Sequence, residues 1–86
     1  LRVRGDSMID EQIRDGDFVI VEDRKSADNG EMVIALLRGA EVTLKKLYRE
    51  NGVVRLQPAN PTMQPLVLDP DQVQVQGVVV GVMRKY

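Results

Sequence analysis

Apolar residues come in short β-branched runs, separated by breaks rich in Gly, Asn, Asp and Pro. Phe18-Val19-Ile20-Val21-Glu22 is the first such run and predicts a strand. Asp23 to Gly30 is polar and ends in Asn29-Gly30, a turn signal. Glu31 to Leu37, Glu41 to Tyr48 and Val53 to Gln57 follow, linked by Arg38-Gly39-Ala40 and by Glu50-Asn51-Gly52. Short glycine-containing links between strand-like runs predict an antiparallel meander. Pro58-Ala59-Asn60-Pro61 and Pro65 mark an irregular stretch, because proline lacks an N–H donor and restricts the residue before it. Leu66-Val67-Leu68 predicts a brief strand. Val73 to Arg84 predicts a long final one, interrupted by Gly77 and Gly81. Glycine inside a strand signals a bulge or a close backbone approach.

The start of the chain reads differently. Ser7-Met8-Ile9-Asp10 fits the Ser-x-x-acid pattern that caps a helix, and Ile9 and Ile13 stand four apart. A short helical turn is expected from Met8 to about Arg14, ended by Asp15-Gly16-Asp17. Leu1 to Val3 reads as a short strand end. The total is about six or seven strands with at most one short helical turn, a mostly β domain whose small antiparallel sheet is rolled into a partial barrel.

Composition narrows the class. With 86 residues the chain makes one domain, 43% hydrophobic and 29% charged, ordinary values for a soluble globular protein. Twelve basic residues stand against 13 acidic ones, a net charge of -1, which argues against nucleic acid as the main partner of this segment. There is no cysteine and no histidine, so disulfides, thiolate chemistry and the usual zinc ligands are excluded. Asp15-Gly16-Asp17 lacks the rest of a calcium loop and reads as a turn. No cofactor is expected. No apolar run is long enough to span a bilayer as a helix, and no signal-peptide pattern is visible. The expectation is a cytoplasmic protein with no membrane contact. A chain that opens on Leu1 is expected to be a fragment of a longer protein.

The missing histidine also limits catalysis. A Ser-His-Asp triad is impossible, and neither Ser7 nor Ser26 has a lysine three residues on. A serine hydroxyl needs a base within hydrogen-bond reach. Lysine, with an ordinary pKa of about 10.4, can serve once burial disfavours its charge. Ser7, in Arg4-Gly5-Asp6-Ser7-Met8, is the leading nucleophile, and backbone N–H groups at the turn around it would supply an oxyanion hole. A lysine in Glu41-Val42-Thr43-Leu44-Lys45-Lys46-Leu47, a strand bounded by apolar residues, is a candidate for such burial, and the stretch holds two lysines. Strand alternation groups Lys46 with Val42, Leu44 and Tyr48, and Lys45 with Glu41, Thr43 and Leu47, which slightly favours Lys46 as the buried one.

These stretches together carry a resemblance. Val3-Arg4-Gly5-Asp6-Ser7-Met8 followed by Asp15-Gly16-Asp17 resembles the nucleophile region of LexA-type repressors. Asn29-Gly30 before Val33-Ile34-Ala35, and then Glu41 through Leu47, is similar to their lysine strand. Leu56-Gln57-Pro58-Ala59-Asn60 and Gly77 through Arg84 continue the match in order. The resemblance implies that Ser7 is the nucleophile and that Lys45, not Lys46, is the general base. Asp6 and Met8, on either side of Ser7, are the candidate oxyanion and substrate-pocket residues. It further implies a self-cleaving serine peptidase that cuts an upstream Ala-Gly bond when an activated RecA filament stimulates it during the DNA-damage (SOS) response. A homodimer is implied, with operator DNA bound only through an N-terminal domain outside this chain.

Three expectations follow. None of the four alanines precedes a glycine, so the fragment is expected to retain the dyad without cutting itself. The Val-rich final strand reads as core, or as an edge that pairs with a second copy. The competing readings are a UmuD-like mutagenesis protein core and a non-catalytic dimerisation module. In the latter, Ser7 is a helix N-cap and Lys45 a surface charge.

Overall fold

The computed structural model describes residues 8, 11 and 13–84. Six strands form one antiparallel sheet: β1 (Phe18–Glu22), β2 (Met32–Leu37), β3 (Glu41–Glu50), β4 (Val53–Gln57), β5 (Leu66–Leu68) and β6 (Val73–Met83). Their spatial order is β1-β6-β2-β3-β4-β5. The fold is mostly β, as expected, and among the described residues the sheet is not closed: β1 and β5 stand at its two ends. The β2–β3–β4 meander is present. Its second hairpin turns on Asn51 and Gly52, consecutive residues with φ of 51° and 79°. Two successive left-handed residues are the requirement of a type I′ hairpin turn, which Asn-Gly meets at low cost.

Of the two readings of the Val-rich final strand, core holds, with Val75 and Val78 buried, and edge is corrected. The C-terminal strand is not an edge. β6 lies between β1 and β2, pairing Val78 with Val33 on one side and Val82 with Val19 on the other. An 11-residue strand is long enough to serve two shorter partners in turn, and β1 takes its second half. The glycines mark the irregularities. The β2–β6 register shifts between Ile34 and Ala35, beside Gly77, and the β1–β6 register shifts between Ile20 and Val21, beside Gly81. A Cβ at Gly77 would collide with the Val21 side chain and come within 2.9 Å of the Glu22 carbonyl oxygen. Only glycine lets β1 cross there.

Register assigns the core to two faces. Val33, Ala35 and Leu37 of β2 share one face with Leu47 of β3, Val54 and Leu56 of β4, Leu68 of β5, and Val75 and Val78 of β6. Val33, Leu47 and Leu56 are wholly buried there. On the other face Ile34 and Leu44 pack with Met8, Ile13 and Val19. The chain before β1 is thus fastened to the sheet through Met8 and Ile13.

That segment is also fastened by polar contacts. Asp17 is buried, and Arg84, just past β6, grips it with two donors at 3.0 and 2.9 Å. The Arg14 amide N–H donates to the same carboxylate at 2.8 Å. These contacts hold the Asp17 carboxyl at about 2, below its ordinary 3.8. The Arg84 hydrogen bonds lower it most. The predicted turn at Asp15-Gly16 closes with the Asp17 N–H donating to the Arg14 carbonyl at 3.0 Å. Most of the expected helical turn, its Ser7 cap and the strand end at Leu1 to Val3 lie outside the described residues. Within them, the Glu11 N–H donates to the Met8 carbonyl at 3.0 Å, one tight turn.

A 3-10 turn at Pro70–Gln72 went unforeseen. Its signal was present: Pro at the first helical position, and a Gln72 side chain that accepts the Asp69 N–H at 3.1 Å.

Candidate active site

Lys45 lies in the middle of β3, opposite Val33 of β2. It therefore belongs to the face of Val33 and Leu47, the more deeply buried one. The sequence preference for Lys46 as the buried lysine came from its own strand alone, where Val42 and Leu44 looked like core. Val42 is in fact 58% exposed, whereas Leu47, on the face of Lys45, is wholly buried. Neighbouring strands decide which face is deep, and a single strand's pattern does not contain them.

The Lys45 ammonium is half-buried. Its Nζ donates to Thr43 Oγ1 at 2.6 Å and to the Leu44 carbonyl at 3.1 Å. Burial pushes the Lys45 pKa below the ordinary lysine value, against a smaller opposing pull from the Glu41 carboxylate. Loss of solvation penalises the charged form. Lys46 is the opposite case. Its Nζ is ion-paired with the Glu11 carboxylate, and this contact pushes its pKa up. Two adjacent lysines thus differ in kind: one is inclined to give up its proton and the other to keep it.

Ser7 and Asp6 lie outside the described residues. Met8 is packed among Ile13, Val19 and Ile34, and its Sδ accepts the Ala59 N–H at 3.4 Å. Met8 is thus a buried packing residue of this face. Thr43 and Glu41 are the site residues that sequence reasoning named only as neighbours. Both share the face of Lys45 by alternation, and that period-two spacing was the available signal. Among the described residues no group of three carboxylates gathers as a metal site. Among them also, no helix is long and apolar enough to cross a membrane.

A half-buried lysine whose pKa is lowered by burial, in a chain without histidine, fits a serine peptidase that works without histidine. The chain belongs to the Peptidase S24-like family, which matches residues 1–80. Among curated proteins, the LexA repressor of Koribacter versatilis (strain Ellin345) is 54% identical over 86 residues, covering 100% of this chain and 41% of the relative. The LexA repressor of Syntrophotalea carbinolica (strain DSM 2380 / NBRC 103641 / GraBd1) is 53% identical over 87 residues, covering 100% of this chain and 43% of the relative. That of Roseiflexus sp. (strain RS-1) is 53% identical over 85 residues, 98% of this chain and 39% of the relative. The chain therefore spans about two fifths of the length of these relatives. The resemblance to LexA-type repressors holds over the whole chain, and the UmuD-like alternative is not favoured.

Proposed function

We propose that this domain is the catalytic and dimerising part of a LexA-type transcriptional repressor, a serine peptidase with Ser7 as nucleophile and Lys45 as general base. The observation that carries the reading is the Lys45 amine: half-buried, lowered in pKa and oriented by Thr43. A neutral amine takes the Ser7 hydroxyl proton, and the oxygen attacks the peptide carbonyl carbon. The carbonyl π electrons move to oxygen, where backbone N–H groups around Asp6 and Ser7 receive the charge. The Lys45 ammonium then passes its proton to the departing amine as the C–N bond breaks. Water hydrolyses the resulting ester, with Lys45 again accepting a proton.

In the parent protein the substrate is an upstream Ala-Gly bond of the same chain, so the reaction is intramolecular. A RecA filament, as the resemblance implies, stimulates it. The cut separates the DNA-binding part from this domain, and the avidity of a dimer for its operator is lost. Dimerisation uses the apolar surface that β1 and the end of β6 leave exposed: Phe18, Ile20 and Met83 on one face of the sheet, Val80 and Val82 on the other.

The test supplies a peptide containing an Ala-Gly bond to this chain. Cleavage is expected to rise from neutral toward alkaline pH, with a midpoint below the ordinary lysine value of 10.5. Ser7→Ala and Lys45→Ala are expected to abolish it. Full activity in Lys45→Ala, or a flat pH profile, would sink the assignment. Glu41→Gln removes the carboxylate that favours the charged amine, so it is expected to move the midpoint downward and raise the rate at neutral pH.

A further inference from the structure

β5 stands at one end of the sheet, and an end strand is a template for a further strand from another chain. Its side chains would favour such pairing, since Leu66 and Val67 are exposed and uncharged. Which backbone groups face outward follows from the register. The Leu47 N–H donates to the Glu31 carbonyl at 3.0 Å, and the Leu47 carbonyl accepts the Gly30 N–H at 2.8 Å, so the Leu47 backbone faces the β2 side. Along a strand, successive residues turn their backbone groups to opposite sides. Lys46 and Tyr48 therefore face β4, and their partners Gln57 and Arg55 face back toward them. Val54 and Leu56 then face β5, where Leu68 and Leu66 meet them. Pro65, Val67 and Asp69 are left to face outward.

Pro65 has no N–H to give. Asp69 continues the extended backbone, with φ -67° and ψ 148°. Its N–H donates to Gln72 Oε1 at 3.1 Å, and its carbonyl accepts the Gln72 N–H at 2.9 Å. The turn that carries Gln72 is tied back to the sheet, because the Arg38 N–H donates to the Gln72 carbonyl at 2.8 Å. Among the described residues, Val67 is the one outward position of the three with both a donor and an acceptor left to offer. We propose that Pro65 and the Asp69–Gln72 cap close the β5 edge to strand addition by a second copy of this chain. An incoming strand would gain the two Val67 bonds and little else, too few to fix a register. The proposal uses neither Ser7 nor Lys45 and goes beyond the catalytic reading. It gives the Pro70–Gln72 turn a task, which is to occupy backbone groups that an apolar edge would otherwise present.

The experiment is cross-linking through a cysteine placed at Val67, in a chain that has none of its own. If two β5 edges paired antiparallel about Val67, the two Cα atoms would stand about 5.5 Å apart, within disulfide reach. Oxidised glutathione takes up the two electrons and two protons as the two thiols join, and covalent dimer is read on a non-reducing gel. Val67→Cys is expected to cross-link no faster than Lys25→Cys, an exposed position away from β5. Adding Pro65→Ala restores one outward N–H, and adding Gln72→Ala frees the Asp69 N–H. Each is expected to speed cross-linking at Val67 about two- to tenfold, the worth of one hydrogen bond. Gln72→Glu keeps an acceptor for Asp69 and is expected to leave the slow rate unchanged. A Val67→Cys chain that cross-links faster than the Lys25→Cys control overturns the proposal, because the edge is then already open. So does a Pro65→Ala/Gln72→Ala chain no faster than Val67→Cys alone, or a Gln72→Glu chain as fast as Gln72→Ala. Thermal melts accompany each variant. If Gln72→Ala unfolds the chain, the exposed Pro65→Ala change decides alone, and no gain in rate there overturns the proposal.

Discussion

The two halves of β6 are both rich in valine and end in opposite surroundings. Val75 and Val78 are buried, Val78 to 1% exposure, whereas Val80 in the second half is 58% exposed. The first half has β2 beside it and the β3 and β4 side chains beyond. The second half has only β1, the edge strand, whose own Phe18 and Ile20 are exposed. Valine content predicts that both halves are strand. Burial is assigned by what lies one and two strands away. The inner half therefore carries the stability of the domain, and the outer half carries apolar surface that the isolated chain leaves open.

Four substitutions or conditions can break or sharpen this contrast. The largest effect is expected at the inner side. Leu47→Ala removes a wholly buried side chain facing Leu56 and should cost roughly 2–5 kcal/mol in a denaturant titration. Gly77→Ala comes next. Its methyl group would meet Val21 and the Glu22 backbone where β1 crosses, and about 1–3 kcal/mol of destabilisation is expected. A loss well under that range would mean that β1 is held loosely.

Acid comes third, and it bears on the outer half through Asp17 and Arg84. The folded Asp17 carboxyl sits at about 2 against an ordinary 3.8. A depressed carboxyl adds stability that is fully present above the ordinary value and is lost as pH falls through the folded one. Thermal melts should therefore worsen from pH 4 toward pH 2, and Asp17→Asn should flatten that part of the profile. The smallest effect on folding is expected from Val80→Ser, within about 0.5 kcal/mol of the parent chain. The same substitution should weaken self-association in sedimentation. If Val80→Ser unfolds the chain as Leu47→Ala does, the two halves of β6 are not different in kind.

Much of the sheet was legible in sequence because strand formation is local. Phe18 to Glu22 and Val73 to Met83 announce themselves through β-branched residues, and Asn51-Gly52 through a turn that few other dipeptides can make. Strand neighbours were not legible. That β1 pairs with β6 rather than β2 depends on residues some sixty positions apart, as the 67-residue separation of Asp17 and Arg84 illustrates. The same limit applied at the candidate site. The ordered motifs singled out Ser7 and Lys45. The environment that distinguishes Lys45 from Lys46 comes from Val33 on one strand and Glu11 on a separate segment, and no periodicity within β3 contains either.

The pairing of β1 with the second half of β6 also has a temporal meaning. On a ribosome β1 emerges early, with Phe18, Ile20 and Val21 in the open and no neighbouring strand yet made. The β2–β3–β4 meander can close as it appears, because its partners are adjacent in sequence. β1 must wait until the last strand is released. A sheet in which β1 depends on β6 is expected to fold late and as a unit, with a rate limited by that long-range closure. The interval in which the first strand waits is when it is most open to pairing with another chain, so nascent-chain conditions are where aggregation of this protein should concentrate.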